Sequence, residues 1–173
     1  MKKFLFFLIP FLLFCGNLQA ADGFEAVKCG SDIPKALMGK RMKNERVVVL
    51  EARHKDIGLK DLGASEISDH MDTISWLICG SEYMLIEADS VVRDVLPFPP
   101  HSKSSPAFDG LCEMKGIKMP EEVVGVLEDQ PGKDFLPVKQ AWKVDEKNAK
   151  FVKLPTEGLL CARSGIFSLD GGK

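Results

Sequence analysis

The chain has 173 residues, with 23 lysines and arginines against 25 aspartates and glutamates and a formal net charge of −2. This near balance argues against nucleic acid as the main partner, because nucleic-acid-binding domains carry a basic surface. A chain of this length suits one domain with a hydrophobic core of its own.

Residues 1–20 have the pattern of a secretory signal peptide. Lys2 and Lys3 precede an apolar run over 4–14, and the segment ends at Ala20, a small residue of the kind that signal peptidase requires. The apolar run is too short for a transmembrane anchor, which takes about 20 apolar residues. We therefore expect export and no transmembrane anchor.

The short basic start and compact apolar run indicate a bacterial protein of the periplasm or the medium. A lipoprotein modified at Cys15 is the less favoured alternative, because Phe14 stands where a small residue is needed. Residues 21–173 are then expected to form a single exported globular domain.

The first elements of this domain are a predicted helix and a predicted strand. Asp32 can cap a helix that has Pro34 in its first turn and runs to about Met42. Residues 45–54 are rich in valine, and β-branched residues favour a strand.

A second short helix is predicted over 65–74. Ile67, Met71 and Ile74 recur at the i, i+4 and i+7 positions, which is helical spacing.

A β-hairpin is predicted next, because two apolar runs flank the dipeptide Gly80-Ser81. In that register Trp76 faces Leu85, and both faces of the hairpin carry apolar side chains.

Residues 97–110 contain four prolines and three serines and are predicted to form an irregular loop. The fold class that follows is α+β and β-rich, a mainly antiparallel sheet with one or two short helices and two disulfides. The strands flanking the loop are predicted at 91–96, 111–115, 122–128, 139–144, 149–153 and 159–163.

Four cysteines follow the signal peptide, and export into an oxidising compartment favours disulfides over free thiols. Cys29, Cys79, Cys112 and Cys161 allow three pairings. A zinc site is weakly supported, because no cysteine has a C-x-x-C partner or a neighbouring histidine.

A weak internal similarity favours one pairing. Residues 45–51 match 122–128 at five of seven positions, and each segment lies between two cysteines, in the ranges 29–79 and 112–161. A duplicated unit with one disulfide each would explain this, as would chance resemblance between valine-rich segments. We take Cys29–Cys79 with Cys112–Cys161 as the expected pairing.

The sequence carries no recognisable catalytic motif. Neither G-x-S-x-G nor H-E-x-x-H occurs. We therefore expect no enzyme activity, no cofactor and no metal site. The alternative is an exported hydrolase or metal-dependent enzyme that uses His54, His70 or His101 with nearby carboxylates.

The proline-rich loop 97–110 is the main candidate for function, because long loops of compact domains are often functional. Phe98 and Phe108 are expected to pin it to the body, and His101, Ser102 and Lys103 to stand at its tip.

The sequence thus predicts a small binding protein, of the inhibitor or immunity type, that contacts another protein through this loop. An envelope structural protein, held by the basic segment 35–46, is a further alternative. The oligomeric state stays open.

Overall fold

The computed structural model of the protein describes residues 22–167, so the predicted signal peptide and Cys15 lie outside the described residues. Two short helices precede a series of antiparallel strands, which confirms the β-rich α+β fold. No helix in the described range is long and apolar enough to cross a membrane. The elements are α1 (Ile33–Leu37), α2 (Val47–Arg53), β1 (Lys60–Ser68), β2 (Met71–Ile78), β3 (Ser81–Ala88), β4 (Val91–Pro97), β5 (Ala107–Gly110), β6 (Cys112–Met114), β7 (Ile117–Lys118), β8 (Val123–Leu127), β9 (Phe135–Asp145), β10 (Lys150–Lys153) and β11 (Leu159–Ala162).

The first sheet is a meander of β1, β2, β3 and β4 in sequence order. The predicted hairpin exists, but its turn is Cys79-Gly80 rather than Gly80-Ser81, and Trp76 faces Tyr83 instead of Leu85. Cys79 and Gly80 have φ angles of 53° and 77°. Positive φ at both turn residues gives the type I′ geometry, whose twist matches that of the flanking strands.

The predicted second helix over 65–74 is wrong. This segment lies in β1 and β2 and the turn between them. Ile67 and Met71 contact the second sheet, whereas Ile74 contacts the N-terminal core on the other face. The helical spacing therefore arose from residues of two strands that a two-residue turn brings together.

The predicted strand over 45–54 is also wrong, because the valine-rich segment forms α2. Val48 is exposed, and Leu50 is the residue of the helix that is buried in the core. At its end, Arg53 and His54 contact the carboxylate of Asp22. Tertiary contacts of this kind readily override β-propensity, which amounts to about 1 kcal/mol per residue.

Helix α1 begins as predicted and ends early. Asp32 caps it, accepting a hydrogen bond from the backbone N–H of Lys35 at 3.1 Å. The helix stops at Leu37 rather than near Met42, and Gly39 follows it with a φ of +73°.

The second sheet has the order β5-β8-β9-β11-β6-β7, with β10 pairing with β9. The strands predicted after the loop lie in this sheet. Gly125 is buried in β8 against β9, where an added methyl group would overlap the carbonyl oxygen of Gln140. The close pairing of these two central strands therefore requires glycine.

The first sheet lies between the N-terminal helices and the second sheet. Alternate residues of β3 show this: Leu85 packs in the core with the helices, whereas Met84 and Ile86 pack against the second sheet. A further core covers the opposite face of the second sheet and contains Phe108, Leu136, Leu159 and both cysteines of one disulfide.

The expected disulfides are confirmed as Cys29–Cys79 and Cys112–Cys161. The first ties the N-terminal segment to the β2–β3 turn, and the second joins β6 to β11. The similar valine-rich segments differ in structure, since 45–51 lies largely in helix α2 and 122–128 largely in strand β8. Their resemblance therefore does not extend to conformation.

Candidate functional site

The proline-rich loop connects the last strand of the first sheet to the first strand of the second. Phe98 is 7% exposed and Phe108 is fully buried, so both aromatic rings hold the ends of the loop in the core. The backbone N–H of Phe98 donates to the carbonyl oxygen of Glu82 at 2.9 Å. Residues 107–110, predicted as loop, form the edge strand β5.

The tip of the loop is a closed turn. The backbones of Ser102 and Ser105 exchange hydrogen bonds of 2.9 and 3.0 Å, so that Lys103 and Ser104 form the turn. The side chains of Ser102, Lys103 and Ser104 are exposed. We refer to Ser102–Ser105 as the loop tip.

The loop tip is fastened to the second sheet. Lys139 on β9 donates through Nζ to the Ser105 hydroxyl at 2.5 Å. The backbone N–H of Asp129 donates to the carbonyl of Ser104 at 3.2 Å. The tip is therefore held by the second sheet, and the exposed Lys103 projects from a fixed base.

His101 does not stand at the tip, contrary to expectation. Its ring lies against Phe98 with centroids 5.8 Å apart, and its side chain is only 14% exposed. Nε2 faces a carboxylate oxygen of Glu82 at 3.6 Å, and Nδ1 lies 3.3 Å from the carbonyl of Pro99. The imidazole therefore points inward, toward the buried carboxyl group of Glu82 beneath the loop.

Glu82 is the residue that sequence reasoning missed. Its side chain is 5% exposed, and neither carboxylate oxygen has a hydrogen-bond partner among residues 22–167. Burial raises the pKa of Glu82, and the charge of His101 acts in the opposite direction. The alternation of side chains along β3 places Glu82 on the same face as Met84 and Ile86, and this was the available signal.

The other two histidines lie apart from the loop in separate elements. His54 is buried, and its Nε2 lies 3.1 Å from a carboxylate oxygen of Asp22. His70 is 82% exposed in the β1–β2 turn, 4.0 Å from Asp89. The described part of the chain contains no group of three or more His, Cys, Asp or Glu side chains that could hold a metal ion.

No nucleophile is paired with a base at the loop. The two ring nitrogens of His101 face Pro99 and Glu82, and the Ser102 hydroxyl contacts that of Ser104 at 3.2 Å. Serine catalysis requires a hydrogen bond between the hydroxyl and its base. In this geometry the Ser102 hydroxyl is not hydrogen-bonded to His101.

A second group of polar side chains, Ser65, Asp109 and Glu122, lies where the two sheets meet, next to two clefts. The hydroxyl of Ser65 on β1 donates to Asp109 on β5 at 2.9 Å. Burial, together with a hydrogen bond to Asp109, raises the pKa of Glu122 to about 8. Asp109 lines a cleft of about 260 Å³, and Glu122 lines one of about 680 Å³.

Comparison with known proteins gave no match among protein-family models, curated proteins or solved structures.

Proposed function

We propose that this chain is an exported, disulfide-stabilised binding protein that contacts another protein through the loop tip, as an inhibitor or immunity-type protein does. The observation that carries the proposal is an exposed lysine, Lys103, on a turn that is anchored to the second sheet, in a loop whose start at Phe98 is bonded to the first sheet. In this proposal the chain holds its partner without performing chemistry on it.

Anchoring favours binding because the loop is ordered before the partner arrives. Immobilising a flexible side chain at an interface costs about 0.5–1.5 kcal/mol, and a preformed loop avoids much of the corresponding backbone cost. Phe98 and Phe108 at the ends, with Lys139 near the tip, supply this order.

The form of the tip indicates how it would be recognised. A closed two-residue turn offers side chains, not the extended backbone that strand addition uses. Lys103 is the charged group at its apex, so the complementary surface is expected to present carboxylates.

Export to the periplasm or the medium is part of the proposal. The two disulfides support it, because such bonds persist mainly in oxidising compartments. The mass of the mature protein tests it: cleavage after Ala20 leaves a chain that begins at Ala21.

Site-specific photo-crosslinking tests the contact. A photoreactive amino acid is placed at position 103 in one variant and at position 147 in a matched control, since Lys147 is also exposed in a hairpin turn. Both variants are produced in the native host and irradiated. We expect one protein adduct at position 103 that is missing at position 147.

Competition separates a specific contact from a chance one. An excess of unlabelled wild-type protein should suppress the adduct, whereas Lys103→Glu protein should not, because a reversed charge repels an acidic surface. Equal adducts at both positions, or no adduct at position 103, would overturn the proposal.

A further inference from the structure

His101 and Glu82 form a buried pair beneath the loop. The number of protons that the two side chains hold together decides whether they attract or repel each other. The hydrogen bond from Nδ1 of His101 to the carbonyl of Pro99 fixes the tautomer, so that Nε2 of the neutral ring carries a lone pair. Nε2 lies 3.6 Å from a carboxylate oxygen of Glu82.

One proton shared by the two groups makes the contact favourable in either arrangement. A carboxylate then faces an imidazolium, or a neutral carboxyl group donates to Nε2. With a second proton, Nε2–H still has a carboxyl oxygen to donate to. With no proton, the lone pair on Nε2 faces a carboxylate whose side chain is only 5% exposed, and an unpaired buried charge is destabilising.

Among residues 22–167, His101 is the cation paired with Glu82. The pKa of Glu82 responds to burial and to His101. Phe98 directly follows β4. Its backbone N–H donates to the backbone carbonyl of Glu82 and not to the side-chain carboxylate. On the far side of the loop, the ammonium of Lys139 is engaged by Ser105, and Lys103 projects into solvent.

We infer that Glu82 and His101 form a proton-dependent latch, which keeps the loop closed while the pair holds a proton and releases it when the last proton leaves. Only the biological consequence of the latch depends on the proposed function: release of the loop would weaken partner binding at the loop tip as pH rises. The latch itself is tested without a partner.

Trypsin reports the state of the loop, because proteases cut extended backbone. In the closed turn the Lys103–Ser104 bond is held between the reciprocal hydrogen bonds of Ser102 and Ser105 and resists cleavage. Cleavage after Lys103, quantified by mass spectrometry against a reference peptide in the same tube, therefore measures opening.

The experiment compares wild-type protein with Glu82→Gln and with His70→Gln, a control at the exposed histidine. For wild type and His70→Gln we expect the normalised cleavage rate to rise about tenfold between about pH 6 and pH 9, the effect of one unit of coupling. For Glu82→Gln we expect a flat rate, because the amide N–H can donate to Nε2 of the neutral ring and the amide oxygen can accept from Nε2–H of the protonated ring.

Nuclear magnetic resonance of the wild-type protein gives a second readout that needs no variant. The side-chain carboxyl carbon of Glu82 should titrate over the same pH range in which the amides of the loop tip shift. A flat wild-type cleavage rate, an equal rise in Glu82→Gln, or a Glu82 titration that leaves the amides of the loop tip unmoved would overturn the latch. Crosslinking at position 103, carried out at one fixed pH, tests the proposed function independently of the latch.

Discussion

Asp109 on β5 and Glu122, the residue before β8, lie close together at the junction of the two sheets, where burial and the neighbouring carboxylate of Asp109 raise the pKa of Glu122. The hydroxyl of Ser65 on β1 donates to the same Asp109 from the first sheet at 2.9 Å. Protonation of Glu122 removes the repulsion between the two carboxylates.

Replacing Glu122 by glutamine should remove a loss of stability at alkaline pH. Because its pKa is raised in the folded protein, its stabilising contribution is complete below the unfolded-state value and is lost as pH rises through about 8. Urea denaturation at several pH values should show wild type losing about 1–2 kcal/mol relative to Glu122→Gln between about pH 6 and pH 9, after allowance for solvent screening.

The exposed Glu146 supplies the control for this measurement. Glu146→Gln should keep the wild-type dependence on pH. Parallel curves for wild type and Glu122→Gln would show that the two carboxyl groups do not share a proton.

The two disulfides should differ in their resistance to reductant. Cys29 is exposed, whereas Cys112 and Cys161 are 3% and 0% exposed. Under native conditions, mild dithiothreitol followed by alkylation should label Cys29 and Cys79, and label the buried pair only after unfolding. Simultaneous labelling of all four cysteines in folded protein would contradict the burial of the second bridge.

The carboxylate of Asp22 should be a main anchor of the N-terminal segment. It is 2% exposed and accepts hydrogen bonds from the Phe24 backbone and Arg53, and contacts His54. Asp22→Ala leaves these groups without their acceptor and should cost about 3 kcal/mol. Chemical denaturation checks this against Asp32→Ala, an exposed helix cap whose loss costs about 1 kcal/mol; equal losses would refute the prediction.

Gly125 should tolerate no side chain, because a methyl group there would overlap the carbonyl of Gln140. Gly125→Ala should lower the free energy of unfolding by about 3 kcal/mol, as overpacking does in a rigid core. Gly132→Ala is the comparison, since it has open space and only the strain of a φ of +76°, about 1–2 kcal/mol. The prediction fails if the two variants melt at the same temperature.

Local sequence signals identified the fold class, the strands after the loop and the start of α1. Asp32 and Pro34 act within a single helical turn, so they could be interpreted without tertiary contacts, and the predicted cap forms. By contrast, the valines at 47–49 indicate a strand by propensity, yet the helix forms because Leu50 and Arg53 find distant partners. Such contacts are not encoded in local composition.

The candidate site was predicted in part for a similar reason. The prolines and serines mark the loop, and Phe98 and Phe108 are conspicuous beside them. The position of His101 depends on Glu82, 19 residues earlier on β3, and hence on a hairpin register that the sequence reading placed two residues off. Asp109 and Glu122 likewise meet through the pairing of β5 with β8.

The most direct test of the central claim is the affinity of the crosslinked partner, measured by calorimetry with wild type, Lys103→Ala and Lys147→Ala. A lysine that contributes a charged contact at an interface is expected to account for at least about 2 kcal/mol, roughly thirtyfold in Kd. We expect this loss of affinity for Lys103→Ala and an unchanged affinity for Lys147→Ala. Equal affinity of all three proteins would show that the loop tip is not the contact.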